Sequence, residues 1–108
     1  MSKKLTFSDK LYIGESIDIQ KLDKIKKSLW NTPVLTKFFL ITISTNPKEQ
    51  LDIIESKYLT YSYYNTHPLH VVGLAKSNSE AVGLVQKIVQ DCLDIQGDVD
   101  LKTFLLKN

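Results

Sequence analysis

The stretch from Leu69 to Gly97 limits the possible folds of this chain more than any other. Leu69 to Ala75 is a run of β-prone residues, apolar except for His70 and Gly73, and reads as a strand. Ser77 with Glu80 three residues later is a capping box, in which each side chain takes a backbone N–H at the other's position. Ala81, Leu84, Val85, Ile88, Val89 and Cys92 then recur at intervals of three and four, one buried stripe of a helix over 77–96. Gln86, Lys87, Gln90, Asp91 and Asp94 take the opposite side, and Gly97 suits the left-handed residue that ends a helix. Val99 to Leu106 reads as another strand, with Asp98 in the turn before it and Asp100 pointing outward. A strand, helix, strand unit of this length joins parallel strands with right-handed sense, which makes the chain α/β.

The N-terminal part repeats the theme. Leu11 to Gly14 reads as a short strand, Ser16 as a helix cap, and Leu22, Ile25 and Leu29 as the buried face of a helix over 17–30. Asp18 near its start suits the helix dipole, and Asn31-Thr32-Pro33 stops it after Trp30. Phe38 to Ser44, rich in β-branched and aromatic residues, is a buried strand. The middle allows two readings. Asn46-Pro47 can open a turn into a hairpin strand, Leu51 to Ile54. Alternatively, Asn46, Pro47 and Glu49 can start a helix carrying Leu51, Ile54, Tyr58 and Tyr61, which local physics slightly favours.

A length of 108 residues, 43% of them hydrophobic, suits one globular domain over 1–108. The expectation is an α/β fold, with mixed α+β as its variant: a four- to five-stranded mixed sheet with two main helices packed on it. All 14 cationic side chains are lysines, so the arginine fork that grips phosphates in bidentate geometry or reads guanine edges is missing. With a net charge of +2 and no basic stripe beyond Lys21, Lys24, Lys26 and Lys27 on one helix, the sequence argues against nucleic-acid binding. Cys92 stands alone on an apolar stripe, which excludes an internal disulfide and fits a reducing compartment. Lys3 and Lys4 precede an apolar run too short for a signal peptide, and no run is long enough to span a membrane. The expected location is cytoplasmic.

Several strings carry a resemblance: Tyr12-Ile13-Gly14-Glu15-Ser16, Tyr63-Tyr64, Val72-Gly73-Leu74-Ala75, Glu80-Ala81-Val82, Leu84-Val85, Ile88-Val89, Gly97 and Asp100-Leu101-Lys102. Together they resemble a group of small hypothetical proteins of clostridial and related Firmicutes, a group with no assigned activity. The resemblance implies that Leu51 to Ser56 is a strand followed by a short helix through the tyrosines, and so favours the hairpin.

Two constellations are candidate sites. The first is the pair of strand-to-helix junctions, Gly14-Glu15-Ser16 and Lys76-Ser77-Asn78-Ser79. If the Leu11 and Leu69 strands are adjacent and parallel, both junctions face one crevice at the carboxyl ends of strands, where free N–H groups at a helix start favour an anion. The plainer reading makes Ser16 and Ser77 caps and Gly14 a tight turn, and neither junction has a dinucleotide or Walker glycine pattern. The second is Tyr58, Tyr61, Tyr63, Tyr64 and His67, with His70 close by; such a cluster suits a core edge or a subunit contact better than a stacked ligand. Pro68 prevents a helical His67–His70 pair, and no metal or cofactor is expected. Glu15, His67 and His70 are the only side chains an enzyme reading would use; no catalytic residue is assigned. The function expected is therefore non-enzymatic, a domain that binds a protein partner or itself and so a candidate homodimer. A binder of small anions at the two junctions is the alternative.

Overall fold

The computed structural model describes residues 5–33 and 36–107; the Lys3-Lys4 start lies outside them. Four strands, β1 (Leu5–Ile13), β2 (Phe39–Ile43), β3 (Leu51–Glu55) and β4 (Leu69–Ala75), form one mixed sheet in the order β1-β4-β2-β3. β1 and β4 run parallel, while β2 is antiparallel to both β4 and β3. Four helices accompany them: α1 (Leu22–Asn31), α2 (Tyr63–Thr66), α3 (Asn78–Gln96) and α4 (Leu101–Lys107). This is an α/β domain with α1 and α3 as its main helices, and among the described residues no helix is long and apolar enough to cross a membrane.

The sheet separates two apolar layers. On one side Ile25 and Leu29 of α1 meet Leu5, Leu40, Leu69, Val71 and Leu74, with Leu59 in the same cluster. On the other, Ala81, Ile88 and Cys92 of α3 and Leu101, Phe104 and Leu105 of α4 cover Ile41, Val72 and Ala75. Leu29 has no exposed surface, so truncation to alanine costs about 2–5 kcal/mol. Val72 faces α3, yet Val71 and Leu74 both face α1, so strand alternation slips by one residue near Gly73. The register records the slip, since Ile41 pairs with Gly73 but Thr42 pairs with Val71. Gly73 keeps this crossing tight, since a Cβ there would sit 2.9 Å from Ile41 Cδ1 and 3.2 Å from the Tyr12 carbonyl oxygen.

Several local expectations hold. β4 has the predicted bounds, Ser77 caps α3 by accepting from the Glu80 N–H at 3.1 Å, and Gly97 ends the helix with φ of 83°. Cys92 is buried, which pushes its thiol pKa up, and its Sγ donates to the Asp98 carbonyl. The 46–60 segment is the hairpin, β2 to β3, followed by a 3-10 turn over Ser56–Thr60.

Three expectations need correction. The 99–106 segment is not a strand but helix α4, because Leu101, Phe104 and Leu105 close one face at helical spacing. Asp100 is its cap, accepting from the Thr103 N–H and hydroxyl at 3.3 and 2.7 Å. The parallel pair is consequently β1 with β4, not β4 with a strand after α3. β1 itself begins at Leu5 rather than Leu11, for Ser8 to Leu11 form a bulge opposite Val72 alone, between the pairs Phe7–Val71 and Tyr12–Gly73. Finally, Ser16 does not cap α1. Asp18 caps a 3-10 turn by accepting from the Gln20 N–H, and the α-helix starts only at Leu22.

Candidate functional site

β1 and β4 are adjacent and parallel, so the two junctions do meet at the carboxyl ends of these strands. Gly14 donates its N–H to Leu74, tying the first junction to the second. Between them lies a crevice of about 630 Å³ lined by Gly14, Glu15, Ser77, Ser79, Glu80 and Lys87, among others.

The anion in this crevice belongs to the chain. The Glu80 carboxylate accepts from the Lys76 N–H at 2.8 Å and the Ser16 N–H at 3.1 Å, and the Ser16 hydroxyl lies 2.8 and 2.7 Å from its two oxygens. Only half of the expected capping box is therefore present. Ser77 receives the Glu80 N–H, but the Glu80 side chain reaches to Lys76 and across to Ser16 instead of back to Ser77. The Lys76 N–H, the bonds from Ser16 and the Lys76 charge lower the pKa of this carboxyl below its ordinary value, against a smaller desolvation that raises it. Gly14 serves this contact too. A Cβ on it would lie 2.3 Å from Glu80 Oε1, so the glycine is there for close approach, and its φ is not left-handed.

The predicted junction residues thus divide. Gly14, Glu15, Ser77 and Ser79 line the crevice, Ser16 is bonded to Glu80, and Asn78 is exposed at the first position of α3. Lys76 is not among the residues lining this crevice, although its charge acts on Glu80; it lines a second cleft of about 330 Å³ together with Lys37, Lys57, Phe38, Phe39 and Glu55. Lys37 and Lys57 carried no signal in the sequence, because only the pairing of β2 with β3 and β4 brings them to Lys76. Ala75, Phe39 and Glu55 form one row across three strands, and Lys76, Phe38 and Ser56 follow immediately beyond it. The floor is held rigidly: Ser56 accepts from the Phe38 N–H, donates to the Thr36 carbonyl, and is buried.

The tyrosine cluster lies beside the hairpin. Tyr63 reaches Thr45 at 3.2 Å, and Tyr64 packs against the α1-side core, where burial, Tyr63 and Asp52 push its pKa up. Tyr58 and Tyr61 meet edge to face with centroids 5.2 Å apart, and Tyr63 does the same with Tyr64 at 5.1 Å. His67 stacks on Tyr63 at 3.8 Å and its Nδ1 donates to the Tyr63 carbonyl at 2.8 Å. His70 lies apart on β4, with Nδ1 2.8 Å from the Thr6 hydroxyl. Among the described residues no group of three or more His, Cys, Asp or Glu side chains is placed to hold a metal ion. Tyr58, Tyr61 and Tyr63 are exposed, whereas Tyr64 is half-buried.

β3 is the edge of the sheet next to these tyrosines. Ser44 donates to Gln50 and Ser56 donates to Phe38, so the even-numbered residues of β3 face β2 in the ladder. The backbone groups of Leu51 and Ile53 and the N–H of Glu55 consequently point away from the sheet, while the Glu55 carbonyl opens the 3-10 turn that follows.

No family model, no curated protein and no solved structure matches this chain.

Proposed function

We propose that this is a non-enzymatic association domain, in which the open edge of β3 pairs with β3 of a second copy. The observation that carries the reading is the row of outward backbone groups at Leu51, Ile53 and Glu55, followed in the chain by exposed Tyr58, Tyr61 and Tyr63. An unpaired edge is a template for another strand, and tyrosine is enriched at interfaces. The charges favour one register. Antiparallel pairing centred on Ile53 uses every outward group and sets Lys57 opposite Glu49 of the second copy, twice over. Centring it on Asp52 instead opposes Asp52 to Asp52 and Glu49 to Glu55, both like-charge pairs. So short an edge buries less than a standard interface, and the dimer is therefore weak and concentration-dependent.

Sedimentation velocity from low micromolar to near-millimolar concentration tests this. Glu55→Pro is the informative variant. Glu55 has φ of −70°, which proline adopts without strain, and the N–H it loses points outward. The variant should keep the wild-type melting temperature and remain monomeric where the wild type dimerises. Glu49→Lys and Lys57→Glu should each weaken the dimer, and together restore it. A wild type that stays monomeric throughout ends the reading, while a dimer indifferent to Glu55→Pro places the contact elsewhere.

A further inference from the structure

The cleft at the start of β2 differs in kind from the open edge of β3. We propose that it takes a small dianion with a short apolar body, of the class of an aryl phosphate monoester.

The argument begins with charge. Lys37, Lys57 and Lys76 line the cleft and Glu55 is the carboxylate among its lining residues, which leaves two positive charges in excess. Glu55 lies 3.8 Å from Lys57, the one ion pair among the described residues. The ammonium groups of Lys37 and Lys76 have neither an ion-pair nor a hydrogen-bond partner there. Three lysines from three separate segments are brought to one cleft only by the sheet register, as the row Ala75, Phe39 and Glu55 makes plain. Like charges gathered this way repel one another, and an anion between them relieves the repulsion.

The shape selects among anions. The volume of about 330 Å³ is at the lower end of small-molecule clefts, too large for a bare phosphate alone and too small for a nucleotide with its base fully enclosed. Phe38 and Phe39 both line the cleft on a backbone anchored by Ser56, Phe38 packing toward the α1-side core and Phe39 toward the α3-side core, so a short aromatic or aliphatic body has one ring's surface to cover. Lysines grip phosphate as point charges, without the bidentate geometry of arginine, and a dianion meets two ammonium groups that hold no ion pair, Lys76 sharing only a longer-range attraction with Glu80. The site also lies at the carboxyl end of β4, the side of an α/β sheet where ligands collect.

The junction crevice provides the internal control. It contains Lys87 and is just as accessible, but its N–H donors already hold the Glu80 carboxylate. Phenyl phosphate, inorganic phosphate and phenol are the probes, titrated against the intact protein with backbone amide chemical shifts as readout. Phenyl phosphate should bind more tightly than inorganic phosphate and phenol not at all. The shifts should centre on residues 36–39, 55–57 and 76, and affinity should fall as salt rises. Lys37→Ala and Lys76→Ala should each weaken binding about tenfold, the loss of one charge contact, and Lys87→Ala should leave it unchanged. These side chains are exposed, so all three variants should fold, which their melting curves verify. The proposal is overturned by an absence of shifts, by equal binding of phenol, or by binding that follows Lys87 instead of Lys37 and Lys76.

Discussion

The two clefts at the same end of the sheet are built from similar parts and differ in one respect. The crevice between β1 and α3 has backbone N–H donors, a helix start and a lysine, and Glu80 fills it with a carboxylate supplied from within. The cleft across β4, β2 and β3 has three lysines, and Glu55 answers only one of them, Lys57. The first arrangement spends its electrostatics on joining the two parallel strands to α3. The second leaves charge unsatisfied. A helix N-terminus in a sequence therefore identifies a place where an anion belongs, but whether it is a ligand or a side chain depends on what the fold brings within 3 Å.

That contrast can be broken most forcefully at Gly14. Gly14→Ala drives a methyl into the space of the Glu80 carboxylate and should cost about 2 kcal/mol in chemical denaturation, through displaced hydrogen bonds more than steric overlap. Glu80→Ala should cost about 1–2 kcal/mol, discounted because water reaches the freed donors. The double variant should lose little more than either alone, since both delete the same contact. Additive losses would mean that Gly14 is constrained by something other than Glu80.

The pH dependence has a definite sign. The folded-state pKa of Glu80 lies below its ordinary value of 4.5, so its contribution is complete above that value and drains away as pH falls through the lower, folded one. Asp98, lowered chiefly by its bond from Gln96 and then by the Asp100 N–H, acts in the same direction. Wild type should lose melting temperature on acidification below about pH 4.5. Glu80→Gln, which keeps the shape but cannot titrate, should lose less over the same interval. Parallel curves for the two proteins would remove Glu80 from the acid response.

The smallest expected effect separates the two clefts. Lys76→Ala retains the backbone N–H that holds Glu80, so stability should change by no more than about 0.5 kcal/mol even as phenyl phosphate binding weakens. Glu80→Ala should do the reverse. If Lys76→Ala destabilised the fold as much as Glu80→Ala, the two clefts would be one electrostatic unit.

The two edges of the sheet teach a related lesson. β1 presents a bulge at Ser8 to Leu11, with Asp9 and Lys10 exposed on it, which obstructs pairing by another strand. β3 is straight and uninterrupted over its five paired residues. In the sequence both looked like short strands, and the first was expected to start only at Leu11, after the polar residues that form the bulge inside β1.

Short-range chemistry was legible in the sequence. β4, the Ser77 cap, the α3 stripe and the Gly97 terminus follow from residues within four positions of one another, and any fold would have to respect them. The 101–107 segment was not settled this way. Val99, Leu101, Thr103 and Leu105 alternate as a strand does, while Leu101, Phe104 and Leu105 recur as a helix does. Contact with α3, the Asp100 cap and the Leu101 N–H bonded to Gln50 of the hairpin decide for the helix. Glu80 shows the same division in a single residue. Its backbone obeys the local cap, but its carboxylate answers to Ser16, 64 positions earlier. Likewise, Lys37, Lys57 and Lys76 are unremarkable in the chain and become neighbours only through strand register. The sequence by itself determined the elements whose stabilising contacts are local. The tertiary structure decided where the charges meet, because electrostatic contacts depend on distance in space, and that distance exists only once β4 is placed between β1 and β2.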